Sequence, residues 1–367
     1  MTRRTATAVR ALGVAAVVGG LLVVASPAGA APGAGAGVTR VRSTPAVGVR
    51  TVRFVDRSRP TPADAIAGIA PAPTRTLPTT IYYPARGAAG VGGAPVADAP
   101  PARGSHPLVL FNPGSPGTPE DYAVLLADWA AHGYVVAAPT FPVSSVAGPD
   151  AAAWADLPAQ TKDARFVLGK VLALDPAKTG IPEIDADHIA AAGHSFGGAT
   201  ALSLVSRCCR DGRVDAAVIL AGVTETVNGP ALRDVRGPVL FVHARADRAV
   251  QYTPTVKVCA RAGTPKRLLT VEEVRGLRAH VVPYLGTDDP YSAVVRPAIV
   301  DFLDGYLRDR APARARVDRA GRGTTVGAVT RCRPGEVTTP GTTPGTTSAT
   351  TPGTTSATTT PGTRDAG

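Results

Sequence analysis

The pentapeptide Gly193-His194-Ser195-Phe196-Gly197 fits G-x-S-x-G, and its setting gives the match meaning. The apolar run Ile189–Ala192 precedes it and the helix-compatible run Thr200–Val205 follows it. Strand, sharp turn and helix in that order hold a serine hydroxyl out of a strained turn. Gly193 and Gly197 then stand where strand and helix come too close together for side chains. A helix N-terminus beneath Ser195 favours negative charge developing there. The expected chemistry is acyl transfer with Ser195 as nucleophile.

A serine hydroxyl needs a base, and the base needs an acid to orient it. Two of the six histidines follow Ser195. His243 closes the apolar run Val239-Leu240-Phe241-Val242-His243 and reads as a structural strand residue. His280, in Gly276-Leu277-Arg278-Ala279-His280, falls in a loop after the predicted strand Arg267–Val271. Loops at the carboxyl ends of parallel strands are where such sites assemble, so His280 is the expected base. Asp247, just beyond the strand Val239–His243, is the expected acid, with Glu225 as runner-up. Its competing role is a local ion pair with Arg245 or Arg248.

Negative charge on the acyl oxygen calls for two backbone N–H donors. Phe196, directly after the nucleophile, supplies one. The other comes from Asn112-Pro113-Gly114-Ser115-Pro116-Gly117. Its prolines have no N–H to donate, which leaves Gly114 and Ser115, with Ser115 preferred.

These groups must be positioned by the elements around them. Val52–Val55 and Thr79–Tyr83 read as an opening antiparallel pair. Leu108–Phe111, Tyr134–Ala138, Ile189–Ala192, Val214–Leu220, Val239–His243 and Arg267–Val271 read as further strands. Glu120–His132, Thr161–Ala173 and the segment through Val205 read as helices, and Arg296–Leu307 as the closing one. Strands alternating with helices predict an α/β protein with a mostly parallel central sheet and helices on both faces, the α/β-hydrolase fold.

The ends differ from this middle. Arg3, Arg4 and Arg10, the apolar run Ala11–Ala25 and then Ser26-Pro27-Ala28-Gly29-Ala30 predict a signal peptide over residues 1–30. The apolar run is too short to span a bilayer, so no stable membrane insertion is expected. The Arg3-Arg4 pair leaves both the general and the twin-arginine export route open. Residues 31–46 are Gly/Ala/Pro-rich and predicted disordered, 47–337 form the catalytic domain, and 338–367 are a Thr/Pro/Gly-rich tail predicted disordered. A secreted or cell-wall location follows. Residues 1–30 hold three arginines and no acids, so the net charge of +11 falls to +8 without them. The arginines are scattered, which reads as a solvated surface and not as a nucleic-acid site. Cys208, Cys209, Cys259 and Cys332 predict disulfides, and three pairings are open. No metal-ligand spacing is present.

The segment Asp187-His188-Ile189-Ala190 followed by Gly193-His194-Ser195-Phe196-Gly197-Gly198-Ala199-Thr200 resembles the nucleophile region of platelet-activating factor acetylhydrolases. So does Pro107–Phe141, with Pro113-Gly114 and Ala131-His132-Gly133-Tyr134-Val135-Val136. Bacterial chlorophyllase-like proteins, dienelactone hydrolases and polyester hydrolases share similar patterns. The stretch Arg75-Thr76-Leu77-Pro78-Thr79-Thr80-Ile81-Tyr82-Tyr83-Pro84 looks like exported actinobacterial members. The resemblance covers about Val52 to Arg308. It implies carboxylic-ester hydrolysis with no metal or organic cofactor, with Ser195, Asp247 and His280 as triad and Phe196 and Ser115 as oxyanion donors. Polyester hydrolases of this group have an aromatic residue and a Met where this chain has Ser115 and Phe196. Dienelactone hydrolases use a cysteine where it has Ser195.

The expected function is a secreted serine esterase acting on small or phospholipid-like esters, with a small-molecule or lipid ester as its partner and an open oligomeric state. The alternatives are a polyester- or cutin-type esterase or lipase, and a catalytically silent hydrolase-fold protein of the cell wall. Peptidase or acyltransferase action with the same triad is a further variant. Nothing in the sequence resembles a large lid.

Overall fold

Ten strands join in one sheet among the residues described by the computed structural model, which are 45–146, 151–224, 234–263, 265–285, 289–330 and 332. In chain order they are β1 Val47–Asp56, β2 Arg75–Pro84, β3 Val96–Ala97, β4 Ser105–Asn112, β5 Val135–Pro139, β6 Glu183–His194, β7 Ala216–Leu220, β8 Val239–Asp247, β9 Lys266–Gly276 and β10 Gly327–Thr330. Their order across the sheet is β10-β9-β8-β7-β6-β4-β5-β2-β1-β3. From β5 to β9 all neighbours are parallel. The pairs β1–β2, β2–β5 and β9–β10 are antiparallel.

The helices are α1 Ala123–Ala131, α2 Ala151–Leu172, α3 Pro176–Thr179, α4 Ser195–Val205, α5 Tyr252–Arg261, α6 Leu277–Leu285, α7 Ser292–Leu307 and α8 Ala311–Val317. They lie on opposite faces because successive strand residues point to opposite sides. Val109 and Phe111 of β4 pack with Leu126 and Trp129 of α1 and Ile299 of α7. Leu108 and Leu110 pack with Val167 and Leu168 of α2 and Leu202 of α4. Both sides of the central strands are therefore covered, which is why they read as unbroken apolar runs.

Several elements depart from the sequence reading. The helix predicted over Thr161–Ala173 begins ten residues earlier, at Ala151, and carries Pro158 inside it. The segment predicted as helix from Glu120 opens with a 3-10 turn, Pro119–Tyr122, before α1. β10 follows the strand expected to be last. The predicted signal peptide (1–30), the Thr/Pro-rich tail (338–367) and Glu225 lie outside the described residues, as does nearly all of the predicted disordered segment 31–46.

Between β1 and β2 the chain makes an excursion, residues 57–74, closed by short bridges at Thr61–Ala72 and Asp64–Ile69. Its base is pinned to α2 by buried charges. Arg75, 1% exposed, bonds Asp156 at 2.7 Å and Asp163 at 2.6 Å, and Arg59 adds a 2.6 Å bond to Asp163. The excursion's Ala67 and Ile69, like Trp154 of α2 and Val223, then pack against a buried cluster that includes Val143, Leu157 and Phe196. This apolar cover beside the elbow was not visible in the sequence, where no lid was expected. Cys259 pairs with Cys332, joining α5 to the segment after β10, and Cys208 pairs with Cys209.

Candidate active site

Parallel strands bring their carboxyl ends to one edge of the sheet, and the predicted residues gather there. β4 ends at Asn112 beside Gly193, β6 ends at His194 beside Leu220, and β8 ends at Asp247 beside Gly276 of β9.

Ser195 is the first residue of α4 and has φ +52°, a left-handed conformation that costs a non-glycine residue on the order of 1–3 kcal/mol. The strain persists because the surrounding backbone leaves no alternative. A Cβ on Gly193 would collide with the Gly197 carbonyl, and one on Gly197 would collide with the carbonyls of Asn112 and Pro113. The Ser195 carbonyl accepts a bond from the Val223 N–H at 3.1 Å, and the Asn112 side-chain amide donates to the Ala192 carbonyl at 2.9 Å. Strand, elbow and helix are thus locked to β4 by main-chain pairing and close approach and by the Asn112 amide.

Ser195 Oγ lies 2.9 Å from His280 Nε2, and His280 Nδ1 lies 2.8 Å from Asp247 Oδ2. A carboxylate only accepts, so Nδ1 carries the proton and Nε2 is free to accept from the serine hydroxyl. His280 sits in the first turn of α6 and not in the expected loop. Its side chain is 12% exposed, while that of Asp247 is fully buried.

Burial alone would raise the Asp247 pKa, but the bonds from His243 and His280 and the Val250 N–H hold it well below the usual carboxylate range. Asp247 Oδ1 accepts from the N–H groups of Ala249 and Val250 at 2.8 and 3.0 Å. The expected competitor Arg245 pairs with Glu272. His243, read from sequence as structural, is buried in β8 and also reaches the acid. Its Nε2 is 3.2 Å from Asp247 Oδ2, and its Nδ1 meets the Thr255 hydroxyl at 2.8 Å. Thr255 on α5 had no sequence signal, because its partner lies on another element.

The loop after β4 is held by Tyr122, whose hydroxyl accepts the Gly114 N–H at 3.0 Å. Of the two candidate donors in that loop, Gly114 is therefore turned toward the protein. The same hydroxyl meets His194 Nδ1 at 2.8 Å, and His194 Nε2 meets the His280 carbonyl at 2.7 Å. Burial first, and then the neighbouring His280, push the His194 pKa down to about 3. Trp154 stacks edge-on against Phe196 with centroids 5.0 Å apart, forming an apolar wall beside the serine. Among the described residues no group of three or more His, Cys, Asp and Glu side chains is arranged to hold a metal. No helix among them is long and apolar enough to cross a membrane.

The family model for chlorophyllase matches residues 94–239. That span includes the loop after β4 and the elbow, and stops before Asp247 and His280. No protein of curated function matches the chain. Among solved structures, the ferulic acid esterase from Streptomyces cinnamoneus is similar at 26% identity with a TM-score of 0.59, covering 79% of this chain and 97% of its own. The matched sequence segment, the sheet order and the shared architecture converge: the chain is a carboxylic ester hydrolase on the α/β-hydrolase fold, similar over residues 94–239 to the chlorophyllase family.

Proposed function

We propose that the chain is an exported serine esterase that cleaves small carboxylic esters through an acyl-enzyme on Ser195. The observation that carries this reading is the unbroken line Ser195 Oγ–His280 Nε2 at 2.9 Å and His280 Nδ1–Asp247 Oδ2 at 2.8 Å. Ser195 Oγ attacks the acyl carbonyl while His280 Nε2 takes its proton. Asp247 keeps the imidazole in the required tautomer and faces the imidazolium that forms. The N–H groups of Phe196 and Ser115 receive the oxyanion. The imidazolium returns its proton to the departing alcohol, and water then deacylates Ser195 by the same route.

The substrate is a short-chain or phospholipid-like ester whose acyl group lies against Trp154, Ile69 and Val223. A second reading, an aromatic acyl group, is favoured by the Trp154–Phe196 pair beside the nucleophile and by the named activity of the Streptomyces enzyme. Export is proposed from the N-terminal pattern.

The test is hydrolysis of p-nitrophenyl butyrate, methyl ferulate and an sn-2-acetyl phospholipid by the purified protein and its Ser195→Ala variant. Ser195→Ala should lose on the order of 10⁴-fold or more in kcat with an unchanged circular dichroism spectrum. Retained activity refutes the nucleophile. The preferred substrate separates the two acyl classes, and a chain recovered from medium with its first residue near Ala31 supports export.

A further inference from the structure

We propose that Tyr122 and His194 are positioning residues, a buried relay that holds the loop carrying the oxyanion donor and the main chain of the base in register with each other. The inference rests on the reading of Ser195, His280 and Asp247 given above. Its direction follows from donor chemistry. The His280 carbonyl only accepts, so His194 Nε2 carries the proton and donates to it. His194 Nδ1 is left to accept from the Tyr122 hydroxyl, whose oxygen accepts from Gly114 N–H. One chain of three hydrogen bonds, each between 2.7 and 3.0 Å, runs from the loop after β4 to the first turn of α6.

The relay touches the site at every link. A Cβ on Gly114 would stand 3.0 Å from Tyr122 Oη and 3.2 Å from both His194 Nδ1 and Ser195 Cβ, so loop, relay and nucleophile meet at one point. The His194 ring lies 4.8 Å from that of His280 and 5.1 Å from that of Tyr284. Tyr122 and His194 are each 4% exposed. Buried polar pairs of this kind add little net stability over apolar packing, so their return is geometric definition. His194 also stays neutral beside the imidazole that takes the serine proton, because burial and His280 both oppose its charging.

Tyr122→Phe removes one oxygen and no carbon. It should lower kcat on p-nitrophenyl butyrate by roughly 10- to 100-fold, less than outright loss of an oxyanion donor, with KM within about twofold. The affinity of a trifluoromethyl ketone, whose adduct oxygen occupies the oxyanion position, should fall by the same factor. His194→Gln, whose amide can still donate to the His280 carbonyl, should keep most of the activity, and His194→Leu should not. Tyr122→Phe within twofold of the parent in both kcat and ketone affinity overturns the relay. So does a drop in kcat with ketone affinity unchanged, which marks loosened packing alone. If His194→Leu does not fold, Tyr122→Phe still decides. An active Ser195→Ala would refute the nucleophile instead, so the two failures are told apart.

Discussion

Around Ser195, at the middle of the sheet, the chain is held backbone against backbone. Gly193, Gly197 and the Asn112 and Pro113 carbonyls leave no room for side chains, and β4, β6 and α4 fit together in one way. Around Asp247 and His280, nearer the sheet's edge, the chain is held by side-chain hydrogen bonds. Asp247 gathers His280, His243 and two backbone N–H groups, and Thr255 of α5 holds His243 in turn. Steric exclusion is all-or-none, whereas a polar network can be weakened one bond at a time. Damage to the glycine contacts of the elbow should therefore appear in folding, and damage to hydrogen-bonded groups such as those at the edge in graded activity.

The largest expected effect is at the edge. Asp247→Asn should lower kcat by about 10⁴-fold while leaving the fold intact, because an amide no longer selects the working tautomer of His280. A loss of less than tenfold would break the comparison at its strongest point. Next is a stability effect at the middle. The folded pKa of His194 is about 3, below the ordinary histidine value of 6.5, so the unfolded chain takes up the proton first as pH falls. The stabilisation is complete above pH ~6.5 and is lost progressively down to pH ~3, by roughly 5 kcal/mol in all. Urea titrations at several pH values should show this slope, and His194→Gln should flatten it. Asp247, with its pKa held low, acts in a lower window: its contribution is present above pH ~4 and is lost below.

The middle was legible in the sequence because its signals are local. Strand, glycines and helix occupy one continuous stretch, and Gly193 and Gly197 make the contacts their motif implies. Asp247 and His280 are expected from their order after Ser195 and from the strands before them, and both lie in line with its hydroxyl. The helix around His280 was missed because Val281, Val282 and Pro283 are poor helix formers, and packing of Ala279 and Tyr284 against β8 overrides them. Pro158 hid the first turns of α2 in the same way. Tyr122–His194 and His243–Thr255 join residues 72 and 12 positions apart with no periodic pattern to reveal them. Arg75 is almost wholly buried, against every expectation for an arginine, and only its two aspartates explain it.

Two further changes sharpen the contrast. Removing the Cys259–Cys332 bond, which closes a separation of 73 residues and secures α5 at the edge, should cost about 4 kcal/mol by chain entropy. Removing Cys208–Cys209 should cost about 1 kcal/mol or less, since it closes almost no loop. Thermal melts of the two double-serine variants, with activity measured at 25 °C, check both. A larger loss from the vicinal pair would mean that the turn after α4, not the edge, needs the covalent support. Gly197→Ala, at the middle, should cost about 3 kcal/mol from overpacking against two carbonyls that cannot both retreat. Its soluble fraction should melt lower yet turn over normally per folded molecule. A fully stable but inactive variant would show the elbow to be adjustable.

The smallest change tests the edge most finely. Thr255→Val keeps the shape of a buried side chain and removes one hydroxyl. His243 Nδ1 then loses its donor, while Nε2 keeps its proton toward Asp247 and the Val250 carbonyl, so the ring is held less firmly against Asp247. A net hydrogen bond of about 1 kcal/mol predicts a fall in kcat of at most roughly fivefold and a melting temperature lower by at most about 2–4 °C. The matched control is Ser203→Ala on α4, which removes a buried hydroxyl that donates to the Ala199 carbonyl one turn earlier. It should leave kcat unchanged, because the nucleophile is positioned by main chain and not by that bond. Equal effects from the two variants would mean that both halves of the site are tuned by polar contacts. A loss confined to Thr255→Val would tie the graded response to the acid.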